Sequence, residues 1–281
     1  MTRWWPAPAK LNLFLHIVSR RADGYHELQT LFQLIDLCDQ LAFEAADDGQ
    51  IVRLEGPADL SPQDDLVVRA ARALQNAAGS QHGARIRLRK RIPMGGGLGG
   101  GSSNAATTLF ALNIIWKLGL SSERLAEIGL GLGADVPVFL SGHNAWAEGV
   151  GERLTPLELP PRWYLVLHPG VSVPTREVFQ ASELTRNSPL RTIRALSPGD
   201  PDWRNDCEGV VRHQYPVVAE ALDWLGRWAP ARLTGTGSCI FSAFERAADA
   251  ERVAARVPDV WRTWVVRGLD RSPLLGGSGT G

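Results

Sequence analysis

Residues 93–106 read PMGGGLGGGSSNAA, and six of the seven positions from Gly95 to Gly101 are glycine. Glycine has no Cβ, so the backbone N–H groups of such a loop stay accessible and a ligand can approach them closely. The two serines that follow are good N-cap residues, which predicts a helix from about residue 103 to 118. The positive end of that helix dipole points at the loop, so the stretch predicts a phosphate-binding site.

Three competing interpretations of the glycine run fit less well. A Walker A loop needs a lysine directly after the glycines, whereas the next lysine is Lys117. A dinucleotide-binding pattern can be drawn through Gly95, Gly97 and Gly100, but the acidic residue at a suitable distance, Glu123, is predicted to lie in the first turn of a helix. A flexible linker seldom runs into a capped apolar helix. A phosphate loop of another kind is therefore favoured.

The composition predicts a globular protein without a general affinity for polyanions. The chain has 281 residues, of which 44% are hydrophobic, and its 30 basic and 30 acidic residues balance. The length suits one large domain or two ordinary ones, and the zero net charge argues against nucleic acid or an anionic membrane as a partner. Three widely spaced cysteines predict buried thiols in a reducing cytoplasm. The sequence shows no transmembrane segment and no secretory signal, so we expect a cytoplasmic protein.

The order of the predicted elements indicates an α+β fold. Strands and helices alternate, but hairpin-like strand pairs also occur. We expect a domain boundary in the proline-rich stretch at 156–162, with an N-terminal domain over 1–158 and a C-terminal domain over 159–275. Residues 276–281 contain only Gly, Ser and Thr and predict a disordered tail.

Two strands carry polar side chains on one face. Residues 9–17 alternate with period two and predict a half-buried strand, on which Lys10 and Asn12 lie side by side opposite the apolar stripe. Taken alone, Lys10 is as consistent with a surface residue as with a functional one. The arginines that alternate over 84–90 could bind phosphate, but a solvated strand face is the favoured interpretation.

Taken together, the motifs resemble those of the GHMP small-molecule kinases. Residues 93–103 resemble the ATP loop of that family, with the pattern Pro-x-x-x-Gly-Leu-Gly-x-Gly-Ser-Ser. PAKLNL at 8–13 and LTGTGS at 233–238 resemble its N-terminal motif and its C-terminal glycine turn. Three more segments narrow the resemblance to the branch of the family that acts on a cytidylated alcohol: RADGYH (21–26), GADVPVF (133–139) and HPG (168–170). The match runs over roughly residues 4–275, with the motifs in order.

The resemblance implies a two-domain GHMP kinase fold. Its N-terminal ATP domain is similar to domain 2 of ribosomal protein S5, and its C-terminal domain is a ferredoxin-like α+β unit. The implied reaction is ATP-dependent phosphorylation of the 2-hydroxyl of a cytidylated methylerythritol in the non-mevalonate isoprenoid pathway, with Mg²⁺ as a further cofactor. The implied ATP site consists of Pro93, Met94, Gly95, Gly96, Gly97, Leu98, Gly99, Gly100, Gly101, Ser102 and Ser103.

The resemblance also implies roles for three polar residues. Asp135 is expected to be the general base, although its place before an apolar segment also suits a helix N-cap. Lys10 is expected to keep Asp135 ionised and to neutralise charge on the reacting oxygens. Asn12 is expected to contact the substrate or Asp135. No acidic metal ligand stands at a fixed spacing, so no protein ligand of Mg²⁺ is assigned, although Ser103 could reach the ion.

A cytosine pocket is implied by the motifs of the substrate side. Tyr25 and Phe179 are expected to stack on the pyrimidine, and His26 is expected to contact its polar edge. Thr175 is either a substrate contact or a helix N-cap. Gly235 and its neighbour two residues later are expected to let the C-terminal backbone pack near the site. The segment 183–204 departs from the family pattern, and no substrate contact is predicted there.

Two rival functions stay open at this point. A sister kinase that acts on homoserine, mevalonate or a sugar would share the glycine loop but would not need the Tyr25–His26 pair. A regulator that binds nucleotide without turnover would not need Lys10 and Asp135, which are both present. The expected partner is a small molecule, and either a monomer or a homodimer is compatible with the sequence.

Overall fold

Two long strands, β1 (Trp4–Arg20) and β2 (His26–Ala46), form an antiparallel hairpin at the centre of the computed structural model, which describes residues 2–58, 60–193 and 203–276. Both strands extend well beyond the segments predicted from alternation. Their ladder shifts register at three places, including the step from Asn12 to Leu15. Such bulges bend a strand and let pairing continue past an irregular side-chain pattern.

The remaining described elements mix strands and helices, which confirms the predicted α+β class. The other strands are β3 (Ile51–Glu55), β4 (Gly83–Arg89), β5 (Ala145–Gly149), β6 (Arg153–Pro156), β7 (Trp163–His168), β8 (Ala231–Leu233), β9 (Ile240–Phe244) and β10 (Arg262–Leu269). The helices are α1 (Leu66–Ala78), α2 (Gly100–Ile115), α3 (Ser122–Leu130), α4 (Val136–Ser141), α5 (Thr175–Gln180), α6 (Glu208–Gln214), α7 (Pro216–Gly226), α8 (Ala247–Ala254) and α9 (Pro273–Gly276).

The ten described strands join into one sheet. Its main path runs β3-β4-β2-β10-β7-β9-β8, with β1 and β5 paired to β2 and β6 paired to β5. Among the described pairs, β3 and β4 are parallel and the others are antiparallel. The end of β10 pairs with Leu34 and Ile35, so the C-terminal strands continue the sheet of the N-terminal half. The domain boundary predicted after residue 158 stays a prediction.

Separate apolar cores lie in the two halves, and a third cluster joins them. Helices α1, α2 and α4 cover β2 and β4 through residues such as Leu74, Leu109 and Phe139. Helices α6 and α7 cover the C-terminal strands with their own buried side chains. The joining cluster contains Leu11 of β1 and Phe241 of β9. Strand β1 is buried on both faces between Ala9 and Ile17, so the prediction of a half-buried strand is wrong. Its apolar stripe packs in the joining cluster, and Lys10 and Asn12 on the other face are enclosed by polar partners.

Helix starts follow local capping chemistry, with one departure from prediction. Asp65 accepts a hydrogen bond from Val67 N at the start of α1, and Ser121 accepts one from Arg124 N at the start of α3. Helix α2 begins at Gly100 instead of residue 103, with Gly99 at the N-cap and no side-chain capping bond. Ser102 therefore lies inside the helix. Gly99 turns the chain with φ 71°, a conformation that favours glycine over serine.

Other surface and thiol predictions are largely confirmed. Each arginine of β4 faces a partner at the surface: Arg85 pairs with Asp48, Arg87 with Glu55, and Arg89 lies over the Trp4 ring.

Cys207 and Cys239 are buried, whereas Cys38 is only partly buried, and all three thiols are free. Burial raises the pKa of Cys207 to about 12.

Within the described residues, no helix has the length and apolar character needed to cross a membrane. The predicted tail starts at Gly276, which is the last residue of α9, and residues 277–281 lie outside the described part.

A buried carboxylate of β2 anchors the segment that leads into the glycine loop. Asp39 is fully buried, and its Oδ1 accepts hydrogen bonds from Arg91 N at 2.7 Å and Ile92 N at 2.9 Å. Its Oδ2 pairs with Lys90 Nζ at 2.5 Å. A buried charge is tolerated only when its neighbours satisfy it, so the three contacts fix the backbone just before Pro93.

We expect Asp39→Ala to lower the free energy of unfolding by about 3 kcal/mol, because it removes one partner of a buried ion pair and leaves two backbone N–H groups without an acceptor. Urea unfolding measures this. The control is Asp48→Ala, which breaks the exposed pair with Arg85 and should leave the midpoint almost unchanged. Equal shifts for the two variants would contradict the anchoring role.

Candidate active site

The glycine loop borders a cleft of about 520 Å³, a volume typical of small-molecule sites. Strand β1 supplies one wall, the loop and the first turn of α2 supply another, and α5 with the C-terminal glycine turn closes the third side. The lining residues include Lys10, Asn12, Thr30, Pro93, Met94, Gly95, Gly96, Gly97, Leu98, Gly99, Gly100, Gly101, Ser102, Asn104, Asp135, Thr175, Phe179 and Thr236.

Carbonyl groups of the loop are bonded to segments from both ends of the chain. Lys10 N donates to Leu98 O at 3.0 Å, Cys239 N to Gly96 O at 3.1 Å and Ser238 N to Gly95 O at 3.2 Å. The first N–H groups of α2, which follow directly, have no intrahelical acceptor because they begin the helix. The carbonyl groups of the loop are thus hydrogen-bonded within the protein, while the N–H groups at the start of α2 border the cleft. Because free N–H groups attract negative charge, this arrangement suits an anion.

The two glycine turns touch backbone to backbone, as predicted for Gly235. A Cβ at Gly97 would lie 2.1 Å from Thr234 O, and one at Gly235 would lie 2.9 Å from Gly97 O. Gly97 also has φ 72°, in the left-handed region. No other residue fits this contact without displacing one of the turns.

Lys10 and Asp135 meet at the mouth of the loop. Lys10 Nζ lies 3.4 Å from Asp135 Oδ2, donates to Gly97 O at 3.0 Å and also donates to Asn12 Oδ1. The lysine side chain is 3% exposed and the aspartate side chain 31%. Three acceptors match the three donors of an ammonium group, which accounts for the burial of this charge. The interpretation of Lys10 as a surface residue is therefore wrong.

The position of Asp135 follows from the segment that comes after it. The apolar run from Val136 to Leu140 is buried in the N-terminal core, and Pro137 near the helix start favours helical geometry there. Asp135 occupies the N-cap position of α4, but its side chain forms no capping hydrogen bond. The Asp135 side chain is directed at Lys10 instead. The capping interpretation therefore explains the position of Asp135 in the chain but not the orientation of its side chain.

Two threonines that the sequence analysis missed fix the orientation of Asn12. Asn12 Nδ2 donates to Thr30 Oγ1 at 2.8 Å, and Thr30 Oγ1 donates to Phe14 O at 2.5 Å. Asn12 N donates to Thr234 Oγ1 at 3.0 Å. The amide oxygen of Asn12 is left to face Lys10. Thr234 lies in the quoted C-terminal motif and could have been found, whereas Thr30 carries no pattern of its own.

The three residues of the predicted cytosine pocket lie in different surroundings, and their contact with a base stays a prediction. Tyr25 is 65% exposed at the tip of the β1–β2 turn, while the ring of Phe179 stacks on His26 with centroids 5.2 Å apart and planes 24° apart. Phe179 lines the cleft, but neither Tyr25 nor His26 belongs to its described lining. His26 is buried, and its Nε2 accepts from Arg186 Nε at 3.1 Å.

Burial lowers the pKa of His26, and the positive charges of Arg186 and Arg20 lower it further. The imidazole is therefore held in its neutral form. Arg186 lies in the segment 183–204, where no contact was predicted because the sequence departs from the family pattern. Residues 194–202 of that segment lie outside the described part of the chain.

Thr175 faces the second glycine turn. Its hydroxyl lies 2.9 Å from the hydroxyl of Thr236, and both residues line the cleft. The N-cap of α5 is Pro174, so the alternative that placed Thr175 at the N-cap is wrong. Thr175 lies on the wall of the cleft, and its contact with the substrate stays a prediction.

Metal ligands are sparse around the cleft. The described residues contain no group of three or more His, Cys, Asp or Glu side chains that could hold a metal ion. Ser103, the residue that the sequence offered for Mg²⁺, is fully buried, and its hydroxyl has no hydrogen-bond partner among the described atoms. Ser102 lines the cleft directly.

Comparisons with known proteins agree with this geometry. The family descriptions "GHMP kinases N terminal domain" and "GHMP kinases C terminal" match residues 65–143 and 189–263. A 4-diphosphocytidyl-2-C-methyl-D-erythritol kinase from Alkalilimnicola ehrlichii is 58% identical over 275 residues, covering 98% of this chain and 94% of that protein.

Solved structures give the same result. A crystal structure of 4-(cytidine 5'-diphospho)-2C-methyl-D-erythritol kinase superposes with a TM-score of 0.83 at 37% identity, covering 95% of this chain and 100% of the other. The mevalonate kinase of Methanococcus jannaschii reaches a TM-score of 0.66 at 14% identity over 96% of this chain and 99% of its own, and so shares the fold. The chain therefore belongs to the GHMP kinases and, within them, to the group of the 4-diphosphocytidyl-2-C-methyl-D-erythritol kinases.

Proposed function

We propose that this kinase transfers the γ-phosphoryl group of ATP to the 2-hydroxyl of 4-diphosphocytidyl-2-C-methyl-D-erythritol. The observation that carries the proposal is the pair formed by the buried Lys10 and the partly exposed Asp135, 3.4 Å apart, beside a glycine loop suited to an anion. Such a pair offers a proton acceptor and a positive charge to an alcohol that attacks a phosphate. The choice of acceptor is supported by the names of the relatives, and the product would enter the non-mevalonate isoprenoid pathway.

In the proposed mechanism, the substrate hydroxyl lies between Asp135 and the terminal phosphate. Its oxygen forms the new bond to phosphorus as the bond between the γ-phosphorus and the bridging oxygen breaks, and ADP leaves. The hydroxyl proton passes to a carboxylate oxygen of Asp135, which is partly exposed to the cleft. Lys10 neutralises charge that develops on the transferred group. Asn12 keeps the ammonium group of Lys10 in place through its amide oxygen.

ATP is proposed to bind along residues 93–103. The N–H groups at the start of α2 would contact the phosphates, and Ser102 would add a hydroxyl. Mg²⁺ keeps several waters and takes most ligands from phosphate oxygens, which suits a site without an acidic cluster. The hydroxyls of Ser102 and Ser103 are the proposed protein contacts of an ion that enters with ATP and neutralises phosphate charge.

Phe179 is proposed to stack on the cytosine with the ring face that His26 leaves uncovered, and Tyr25 is proposed to cover the other face of the base. Thr175 is proposed to contact the substrate beside Thr236. The protein is further proposed to act in the cytoplasm on this small molecule, as a monomer or a homodimer, with two domains divided near residue 158.

We expect Asp135→Asn to lower kcat by about 100-fold to 10,000-fold, because an amide cannot accept the hydroxyl proton. Affinity for ATP should change little, since Asp135 is not part of the phosphate loop. A coupled ADP-release assay and calorimetric titration with ATP measure the two effects. The matched control, Asp223→Asn, alters an exposed aspartate that pairs with Arg212, and it should keep wild-type turnover. A near-normal kcat for Asp135→Asn would rule out the general base.

Gly97→Ala is expected to reduce kcat/KM for ATP by about 100-fold, because the added methyl group must displace the Thr234 carbonyl or the loop. The control is Gly119→Ala. Gly119 has φ 68°, close to that of Gly97, but an added Cβ meets nothing within 4 Å. Gly119→Ala should therefore lose only about 1–2 kcal/mol of stability through backbone strain. If the two variants bind ATP equally well, close packing of the two turns is not needed for the site.

Phe179→Ala should raise KM for the cytidylated substrate by about tenfold or more, because base stacking contributes about 1–3 kcal/mol. KM for ATP should stay within about twofold of wild type, since this ring lies on the acceptor side. Steady-state kinetics with each substrate varied in turn measure both. A parallel panel with homoserine, mevalonate and a hexose tests the acceptor, and faster turnover of any of these would overturn the proposed substrate.

A further inference from the structure

A second groove lies on the C-terminal strands, apart from the candidate active site. Its volume is about 240 Å³, and the described residues that line it are Leu13, Leu159, Pro160, Arg162, Tyr164, Trp203, Pro230, Arg232, Phe241 and Ala243. None of these residues lines the cleft beside the glycine loop. Pockets for drug-sized ligands are usually larger, so this volume suits a molecule of about one ring.

The groove lies on the face of the C-terminal strands that the described helices leave open. Side chains alternate between the two faces of a strand. On one face, residues such as Leu165 and Ile240 pack against α6 and α7. On the other face, Tyr164 and Phe241 pack in the joining cluster with Leu13 of β1. Strand β1 and the segment before β7 cover this second face only in part, and the gap between them is the groove.

The floor of the groove is apolar and carries no charge. Leu13, Tyr164 and Phe241 are 6%, 2% and 1% exposed, and the two aromatic rings meet edge to face with centroids 6.0 Å apart. Burial raises the pKa of Tyr164 to about 12, so its phenol is neutral at physiological pH. A floor of this kind suits the flat apolar body of an aromatic ligand.

Two arginines line the groove, and within the described part of the chain one of them forms an ion pair. Arg162 Nη1 pairs with Glu245 Oε1 at 3.0 Å. Arg232 Nε donates to Trp203 O at 2.9 Å, and its guanidinium carbon lies 5.7 Å from the centre of the Trp203 ring. The terminal amino groups of Arg232 bond to no described residue, and the described lining contains no Asp or Glu.

The charge of Arg232 therefore favours an anion in the groove. Burial lowers the pKa of Arg232, and the nearby Glu208 raises it, but Glu208 is itself bound to Arg212 Nε at 2.9 Å. Arginine stays protonated at neutral pH, so a positive charge faces the groove without a carboxylate of its own. The parallel N–H groups of a guanidinium match the two oxygens of a carboxylate, which makes this the anion that fits best.

We propose that this groove is a binding site for a small aromatic carboxylate. The ring would lie on Tyr164 and Phe241, and the carboxylate would accept hydrogen bonds from the terminal amino groups of Arg232. A simple anion would leave the apolar floor in water, and a neutral ring would leave the guanidinium without a counter-ion. The inference does not depend on the proposed kinase function.

Calorimetric titration of the full-length protein with benzoate tests the site. Wild type should bind benzoate with a Kd below about 1 mM. Benzamide and acetate should each bind about tenfold or more weakly, because benzamide lacks the charge and acetate lacks the ring. Absence of benzoate binding would overturn the proposal. So would equal affinity for benzoate and acetate, since it would show that the anion only pairs with an arginine at the surface.

Two variants test which residues bind the ligand. Arg232→Met should weaken benzoate binding about tenfold or more, because it removes the charged donors. Ala243→Phe keeps Arg232 but fills the groove with a larger side chain, and it should abolish binding. Ala243 is exposed, so this change should leave the fold intact. A wild-type affinity in Ala243→Phe would contradict the proposed site.

Matched controls separate these effects from general changes of charge or size. Arg246→Met removes an exposed arginine that pairs with Asp249, and Ala255→Phe enlarges an exposed alanine at the end of α8. Both should bind benzoate like wild type. The melting temperature of each variant, expected within about 3 °C of wild type for the exposed positions, reports on the fold. Equal losses of affinity in the controls and in the groove variants would overturn the proposal.

Nuclear Overhauser effects then locate the bound ring. The ring protons of benzoate should show contacts with the Leu13 methyl groups and the Phe241 ring. Saturating ATP should not displace benzoate, because Leu13 and Asn12 lie on opposite faces of β1 and only Asn12 lines the cleft. Displacement by ATP would place the ligand in the candidate active site and would overturn the inference. A failure of the proposed kinase function would leave each of these outcomes unchanged.

Discussion

The buried ammonium group of Lys10 is the constraint on which the rest of the site depends. A charge that is 3% exposed is tolerable only when each of its protons has an acceptor. Those acceptors come from the same strand, from the glycine loop and from the segment before α4. All three segments must therefore be in place at the same time for the lysine to be buried. The burial of Lys10 thus depends on the correct folding of the whole cleft. Removing Lys10 would leave the buried amide oxygen of Asn12 without the donor that it faces.

Glycine has two different uses in this chain. At Gly99 it allows a left-handed turn that starts α2 early, so the helix dipole is brought closer to the cleft than capping by serine would allow. At Gly97 it allows another backbone to approach, and the partner backbone belongs to the C-terminal half. The conformational freedom that glycine loses on folding is offset by these contacts, because the hydrogen bonds of the loop hold it in one shape.

Segments marked by a regular spacing or by capping residues can be predicted from the sequence. The roles of single residues whose partners are distant in sequence cannot. The loop and the alternating strand with Lys10 can be predicted because capping chemistry and spacing mark them. Strand lengths were underestimated because bulges carry no signal in composition. Asp39 and Arg186 were missed because a single charged residue in a strand or loop gains its meaning from partners distant in sequence. The prediction that Tyr25 and Phe179 stack on a base rests on the resemblance alone and stays a prediction, and the contact between His26 and Phe179 has no signal in the sequence.

The hydrogen bonds between the loop and residues 238–239 also bear on how the protein is made. The loop at residues 95–97 emerges from the ribosome well before Ser238 and Cys239, which bind its carbonyls. During synthesis at about 5–20 residues per second, the N-terminal half waits for about 10 seconds or more with those carbonyls unpaired. Long-range contacts of this kind slow folding, since the chain must close a large loop before it gains the bond. The proposed ATP loop is therefore completed late, and we expect a nascent chain not to consume ATP before its C-terminal half has folded onto the loop.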